Sequence, residues 1–217
     1  MSTTSRSAIG RALGGAAMRR LGGILRNQQL ARRDQFEATG AQANRIVFLG
    51  DSISEFGNWD EWFPDAPVLN RGIGGETSGM VLDRLDSAIG TPLGVFLLIG
   101  TNDLTAALPE PLIVHTVGRI LDGIERRAPG TPVWVQSVMP RSAKFRDELD
   151  SINGRLQTLV TERPDHIRYL DLWPALSTAD GALRNEFTRD HLHLNGEGYR
   201  AWTDVLRPIV DRITSGD

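Results

Sequence analysis

From residue 45 onward, short apolar runs alternate with stretches of helical periodicity, and this pattern constrains the fold more than any other feature of the chain. Such alternation is what parallel strands joined by crossover helices leave in a sequence. Arg45–Gly50 reads as a first buried strand, Pro67–Asn70 as a short second and Val95–Ile99 as a third. Val133–Val138 and Ile167–Asp171 supply a fourth and a fifth. Between them, Ile113, Val117, Ile120, Leu121 and Ile124 recur near the helical period, as do Leu149, Ile152, Leu156, Leu159 and Val160. A last helix is expected to carry Trp202, Leu206, Ile209, Val210 and Ile213. No internal repeat or linker separates two cores. The expected architecture is therefore a three-layer α/β/α, flavodoxin-like fold with a five-stranded parallel sheet.

Composition narrows the function. The 217 residues hold 24 basic and 27 acidic side chains, a net charge of −3, which argues against nucleic acid as a partner. There are no cysteines, so a thiol nucleophile and a thiolate metal site are excluded. Histidine is scarce, with only His115, His166, His191 and His193 available for any imidazole chemistry. Residues 1–40 form a distinct basic extension, with seven Arg against Asp34 and Glu37. Its Ile9, Leu13, Ala17, Leu21 and Leu25 recur four apart, a helical pattern diluted by five glycines. This extension reads either as a helix or arm packed on the body, or as a peripheral membrane or homo-oligomer contact. Arg19 and Arg20 interrupt the only stretch resembling a secretory apolar region, and no window is long enough to span a bilayer; a cytoplasmic location is the expectation.

In open α/β sheets ligands bind beyond the carboxyl ends of the strands, and the polar clusters of this chain lie there. The first strand runs into Gly50-Asp51-Ser52-Ile53-Ser54, the second into Asn70-Arg71-Gly72-Ile73-Gly74-Gly75, and the third into Gly100-Thr101-Asn102-Asp103. A fourth cluster, Asp190-His191-Leu192-His193, precedes the last helix and can fold back over the same edge. A serine, a histidine, a carboxylate and Gly or Asn donors at one edge suit acyl transfer. The hydroxyl of Ser52 needs a base, for which His193 is suited. The oxyanion needs preorganised donors, and Gly75 and Asn102 are of the right type. Asp190, three residues before His193, can hold its imidazole in one tautomer. Each block alone has a plainer reading: Asp51 as a turn residue, Ser52 as a helix cap, the glycines as a tight turn, Asp190 and His193 as a structural pair. Asp190, His191 and His193 are also conceivable metal ligands, but no further carboxylates cluster with them, so neither a metal nor an organic cofactor is expected.

Taken in order, the four blocks resemble the SGNH hydrolases, Gly50-Asp51-Ser52-Ile53-Ser54 being similar to the GDSL motif with Ile53 in place of Leu. The likeness spans about residues 45–213 within a hydrolase domain of residues 41–217. It implies Ser52 as nucleophile, His193 as general base with Asp190 as its partner, and an oxyanion hole from Gly75, the Asn102 amide and the Ser52 backbone N–H. Asn70–Arg84 and Val138–Arg141 are similar to the branch containing the catalytic subunits of platelet-activating-factor acetylhydrolase.

The substrate pocket is less legible. Trp59, Trp62 and Phe63 follow the nucleophile turn closely enough to line it, although aromatics near a first strand are core residues as often. Met139, Arg141 and Phe145 lie in a segment that can cover the site, and Asp51 joins this set as a candidate substrate contact. The expected activity is hydrolysis of short-chain carboxylic esters through an acyl-enzyme, with transfer to alcohols in competition. A carbohydrate acetylesterase, or a non-catalytic binding protein on the same fold, are the alternatives.

Overall fold

The structure, a computed structural model, describes the backbone of residues 3–216 and the side chains of Arg20 and residues 22–216. After a long helix α1 (Thr3–Thr39), five strands follow: β1 (Ile46–Gly50), β2 (Val68–Gly72), β3 (Gly94–Leu98), β4 (Val133–Gln136) and β5 (Ile167–Leu170). Between and after them come α2 (Ser52–Glu55), α3 (Trp59–Trp62), α4 (Ser78–Leu82), α5 (Leu85–Ala88), α6 (Thr101–Thr105), α7 (Glu110–Arg127), α8 (Arg146–Thr161), α9 (Trp173–Leu176) and α10 (Gly196–Ser215). All strands pair in parallel in the order β2-β1-β3-β4-β5. β2 runs two residues beyond the expected segment, to Gly72, because Asn70, Arg71 and Gly72 pair with Phe48, Leu49 and Gly50 despite their polarity. Their side-chain needs are met locally: Asn70 donates to the carbonyls of Glu55 and Gly57, and Arg71 donates to the carbonyl of Gly40.

The central strands are buried on both faces, which explains why they read as unbroken apolar runs. Val47, Leu49, Val95, Leu97, Val133 and Val135 face one layer. Against it pack α7 and α8, through the residues whose spacing predicted them. The alternate residues Ile46, Phe48, Phe96, Leu98 and Trp134 face the other layer, with Trp202, Leu206, Ile209 and Val210 of α10. α10 starts where the Asn195 side chain accepts from the N–H groups of Glu197 and Gly198. Burying one such aliphatic or aromatic side chain contributes about 1.5–3 kcal/mol, so two filled layers fix the sheet firmly.

Within the basic extension Thr3–Thr39 is helical, and its C-terminal part is packed on the body. Phe36 is buried beneath the guanidinium groups of Arg32, Arg71 and Arg84, which lie 4.7, 4.5 and 5.7 Å from its ring centroid. Gln29 is also buried. Docking of this kind holds the C-terminal part of the helix in place. The side chains of Ile9, Leu13, Ala17 and Leu21 lie outside the described residues. Among the described residues, no helix is long and apolar enough to cross a membrane.

Candidate active site

Strand order reverses direction at β1 and β3, the position where a doubly wound sheet opens a crevice. Two short helices begin there, α2 after β1 and α6 after β3. Asp51 caps α2 by accepting from the N–H of Ile53 at 3.0 Å. The turn is tight, and a Cβ at Gly50 would meet the Leu98 carbonyl oxygen at 2.2 Å, so only glycine permits this approach of β1 to its neighbour. From the opposite side, the Trp59 indole N–H donates to Ser54 O at 2.9 Å and the Tyr199 hydroxyl donates to Ile53 O at 2.7 Å. The Ser52 side chain is thus presented on a turn held from three directions.

The last loop folds back over this edge. Ser52 Oγ lies 2.9 Å from His193 Nε2, and His193 Nδ1 lies 2.7 Å from Asp190 Oδ2. The other carboxylate oxygen, Asp190 Oδ1, accepts the backbone N–H groups of Leu192 and His193 at 3.0 and 2.8 Å. Between them His191 adopts φ +59, a left-handed conformation that lets the loop double back within three residues. Burial pushes the Asp190 carboxyl upward, but the His193 side chain and the backbone donors outweigh it and bring its pKa down to about 2. Asp190 is therefore ionised at neutral pH, Nδ1 carries the imidazole proton, and Nε2 is left to accept from Ser52.

The second and third blocks arrive beside this chain of groups. Gly75 takes φ +74, which favours glycine, and the loop is braced by Gly74 N–H donating to Glu55 Oε2 at 2.7 Å. The Asn102 amide donates one hydrogen to Glu76 O at 2.9 Å and keeps a second hydrogen for another acceptor. Asp103, fully buried, accepts from the N–H of Ser78 at 2.9 Å and from its hydroxyl at 2.5 Å, tying α6 to the start of α4. Beneath the loop, buried Glu76 accepts from Arg84 at 2.6 Å on one oxygen and from Arg33 of α1 at 2.7 Å on the other. Arg84 also donates to the carbonyls of Gly50 and Arg71, linking the first two blocks. The pairing of Glu76 with Arg84 and the hold of Asp103 on Ser78 have no signal in the sequence, where Glu76 and Arg84 are charged residues among many and Asp103 only closes the third polar block.

A cavity of about 310 Å³ opens at Ser52, with Gly75, Asn102 and His193 in its wall. Its apolar lining comes from Leu25, Phe56, Ile73 and Leu192, and Gln28 and Gln29 of α1 with Glu55 and Gly74 complete it. Phe56 is largely exposed, 5.4 Å from the His193 ring. The residues expected to contact substrate lie elsewhere. Trp59 is buried against Phe48, their ring centroids 3.7 Å apart, because its indole serves the core and the Ser54 carbonyl. Trp62 packs on the same core beside Arg200, and Met139 is buried within it. Phe145 sits against the opposite core cluster, capped by Arg141 at 4.3 Å. Asp51 is buried behind the Ser52 turn, not in the cavity. Its carboxyl, desolvated and near Asp103 and Glu76, is raised to about 7 despite the Ile53 hydrogen bond.

His191 is exposed, and His166 pairs with Glu125 far along the chain. Among the described residues no group of three or more His, Asp or Glu side chains is arranged to hold a metal ion.

Residues 48–201 match the model of the GDSL-like Lipase/Acylhydrolase family. The chain belongs to that family. The GDSL-like chain is 26% identical over 182 residues to platelet-activating factor acetylhydrolase IB subunit alpha1 of Bos taurus, covering 79% of this chain and 77% of the relative. It is 28% identical over 178 residues to the alpha2 subunit of Rattus norvegicus, covering 77% and 75%. A Streptococcus pneumonia structure described as a platelet activating factor superposes with a TM-score of 0.84 at 25% identity, covering 90% of this chain and 99% of that one. The fold is that of the SGNH hydrolases, and this GDSL-like protein is an ester hydrolase.

Proposed function

We propose that the protein is a serine esterase acting on short-chain carboxylic esters through a covalent acyl-enzyme. The observation that carries this reading is the unbroken chain Ser52 Oγ, His193 Nε2, His193 Nδ1 and Asp190 Oδ2, with contacts of 2.9 and 2.7 Å, opening on a small apolar cavity. Ser52 Oγ attacks the ester carbonyl while His193 takes its proton, and ionised Asp190 stabilises the imidazolium without taking that proton. The tetrahedral oxyanion is bound by the N–H groups of Ser52 and Gly75 and the free hydrogen of the Asn102 amide. His193 then protonates the departing alkoxide, and the C–O bond breaks to leave the acyl group on Ser52. Water, deprotonated by His193, releases the acid; an alcohol in its place receives the acyl group.

The size of the cavity supports a preference for short acyl groups. A space of about 310 Å³ is at the lower end for small-molecule sites and suits acetyl to butyryl groups rather than long fatty chains. The acetylhydrolase names of the relatives agree with that assignment. Hydrolysis of a p-nitrophenyl ester series from acetate to palmitate, with a chelator control, tests it: turnover is expected to peak at short chains and to be insensitive to the chelator. A maximum at palmitate would overturn the short-chain reading.

A further inference from the structure

The amino-terminal helix reaches into the catalytic site, and one of its side chains touches the machinery. Gln29 of α1 is buried, with only 8% of its surface exposed, and its Nε2 donates to the carbonyl oxygen of Gly74 at 2.8 Å. That carbonyl belongs to the same peptide group as the N–H of Gly75. A peptide group is planar and stiff, so a hydrogen bond that fixes the direction of C=O also fixes the direction of the attached N–H. The Gly74 N–H is held in turn by Glu55 Oε2 at 2.7 Å, so the Gly74 residue is gripped on both sides. Gly75 itself lies in the left-handed region, where a glycine without such bracing is free to rotate its flanking peptides. The contact is close: a Cβ built on Gly75 would come within 3.0 Å of Gln29 Nε2 and 3.1 Å of Leu25 Cδ2.

We propose that Gln29 is a positioning residue for ester hydrolysis, aiming the Gly75 N–H at the oxyanion by holding the Gly74 carbonyl from the amino-terminal helix. The proposal rests on the serine-esterase reading and adds to it a residue from outside the family match, which begins at residue 48. A neutral amide suits this role because it supplies a donor to the carbonyl without placing a charge beside the developing oxyanion. The helix is anchored independently of Gln29, by Arg33 donating to Glu76 and to the Met80 carbonyl, and by Phe36 beneath three guanidinium groups. Loss of the Gln29 amide therefore loosens the Gly74–Gly75 peptide while the helix stays docked. Because the oxyanion forms only on the way to the tetrahedral intermediate, the effect falls on kcat and not on substrate binding.

The test is steady-state kinetics of the full-length protein on p-nitrophenyl acetate, comparing wild type with Gln29→Met and Gln29→Glu. Gln29→Met keeps the length and packing of the side chain and removes the donor. Removing an oxyanion donor outright lowers kcat by about 100- to 1,000-fold, so mis-aiming one of three is expected to lower it by about 10- to 100-fold with KM changed less than about threefold. In Gln29→Glu an ionised carboxylate faces the Gly74 carbonyl at neutral pH, whereas its protonated form donates. The kcat of this variant relative to wild type is expected to rise as pH falls, a recovery that Gln29→Met does not show. A Gln29→Met kcat within twofold of wild type, or a loss confined to KM, overturns the proposal, as does a Gln29→Glu ratio flat with pH. Ser52→Ala run in parallel separates the two claims: if it retains turnover the esterase mechanism itself has failed, and if it is inactive while Gln29→Met is not, only the role of Gln29 has.

Discussion

Replacing Glu76 with Gln probes the buried charge cluster under the second block. Glu76 is fully buried and its two oxygens serve two guanidinium groups, Arg84 at 2.6 Å and Arg33 at 2.7 Å. A Gln amide offers one acceptor and one donor, so one guanidinium is left facing an N–H₂ group. Arg84 is itself 5% exposed and already has one unpartnered nitrogen, Nη1, so it has no water to turn to. Breaking a buried ion pair from one side costs about 3–5 kcal/mol. For a chain of this size 1 kcal/mol corresponds to about 2–4 °C, so Glu76→Gln is expected to lower Tm by about 6–20 °C. Arg33→Ala is the comparison: the Arg33 side chain is 23% exposed and its loss leaves the Glu76–Arg84 pair intact, so it should cost about 1–2 kcal/mol. Thermal unfolding by circular dichroism and urea titration of the three proteins give the ordering. A Glu76→Gln loss below about 4 °C, or smaller than that of Arg33→Ala, would show that Arg84 does not depend on a charged Glu76.

Asp51 makes stability depend on pH. Its folded-state pKa of about 7 lies above the ordinary 3.8, so the folded state holds a proton that the unfolded chain has released between those values; the stabilisation is fully present below 3.8 and is lost as pH rises through about 7. At 1.36 kcal/mol per pKa unit the full loss is at most about 4 kcal/mol. Asp51→Asn removes this titration, and its Tm is expected to fall less than that of wild type between pH 5 and pH 8; an equal or larger fall would count against the buried carboxyl. Asp190→Asn keeps the acceptor for the backbone of the loop but loses the anion that orients His193. Its kcat is expected to fall on the order of 100- to 10,000-fold with KM little changed, and a kcat within threefold of wild type would remove Asp190 from the mechanism.

The sheet was readable because its strands are buried on both faces and so appear as apolar runs, and α7, α8 and α10 because their buried stripes keep the helical period. The polar end of β2 has no strand signal in the sequence because its last residues satisfy polar side chains through Glu55, Gly57 and Gly40, partners that only the folded chain brings near. Ser52, Gly75, Asn102, Asp190 and His193 stood out because each sits in a short polar block after an apolar run or before a helix. The cavity wall did not stand out. Proximity in sequence suggested Trp59 and Trp62, but the turn after α2 directs Trp59 into the core and leaves Phe56 beside His193. Leu25, Gln28 and Gln29 come from a helix whose apolar pattern is weak, and their place in the site depends on docking contacts made by Arg33 and Phe36. No local signal in residues 1–40 announces that.

The most direct test of the central claim is to treat the protein with a serine-directed organophosphonate and locate the adduct by mass spectrometry, in wild type and in Ser52→Ala. The expected result is one adduct, on the peptide carrying Ser52, formed in step with loss of ester hydrolysis, and neither adduct nor turnover in Ser52→Ala. An adduct on another serine, or near-normal turnover in Ser52→Ala, would contradict it.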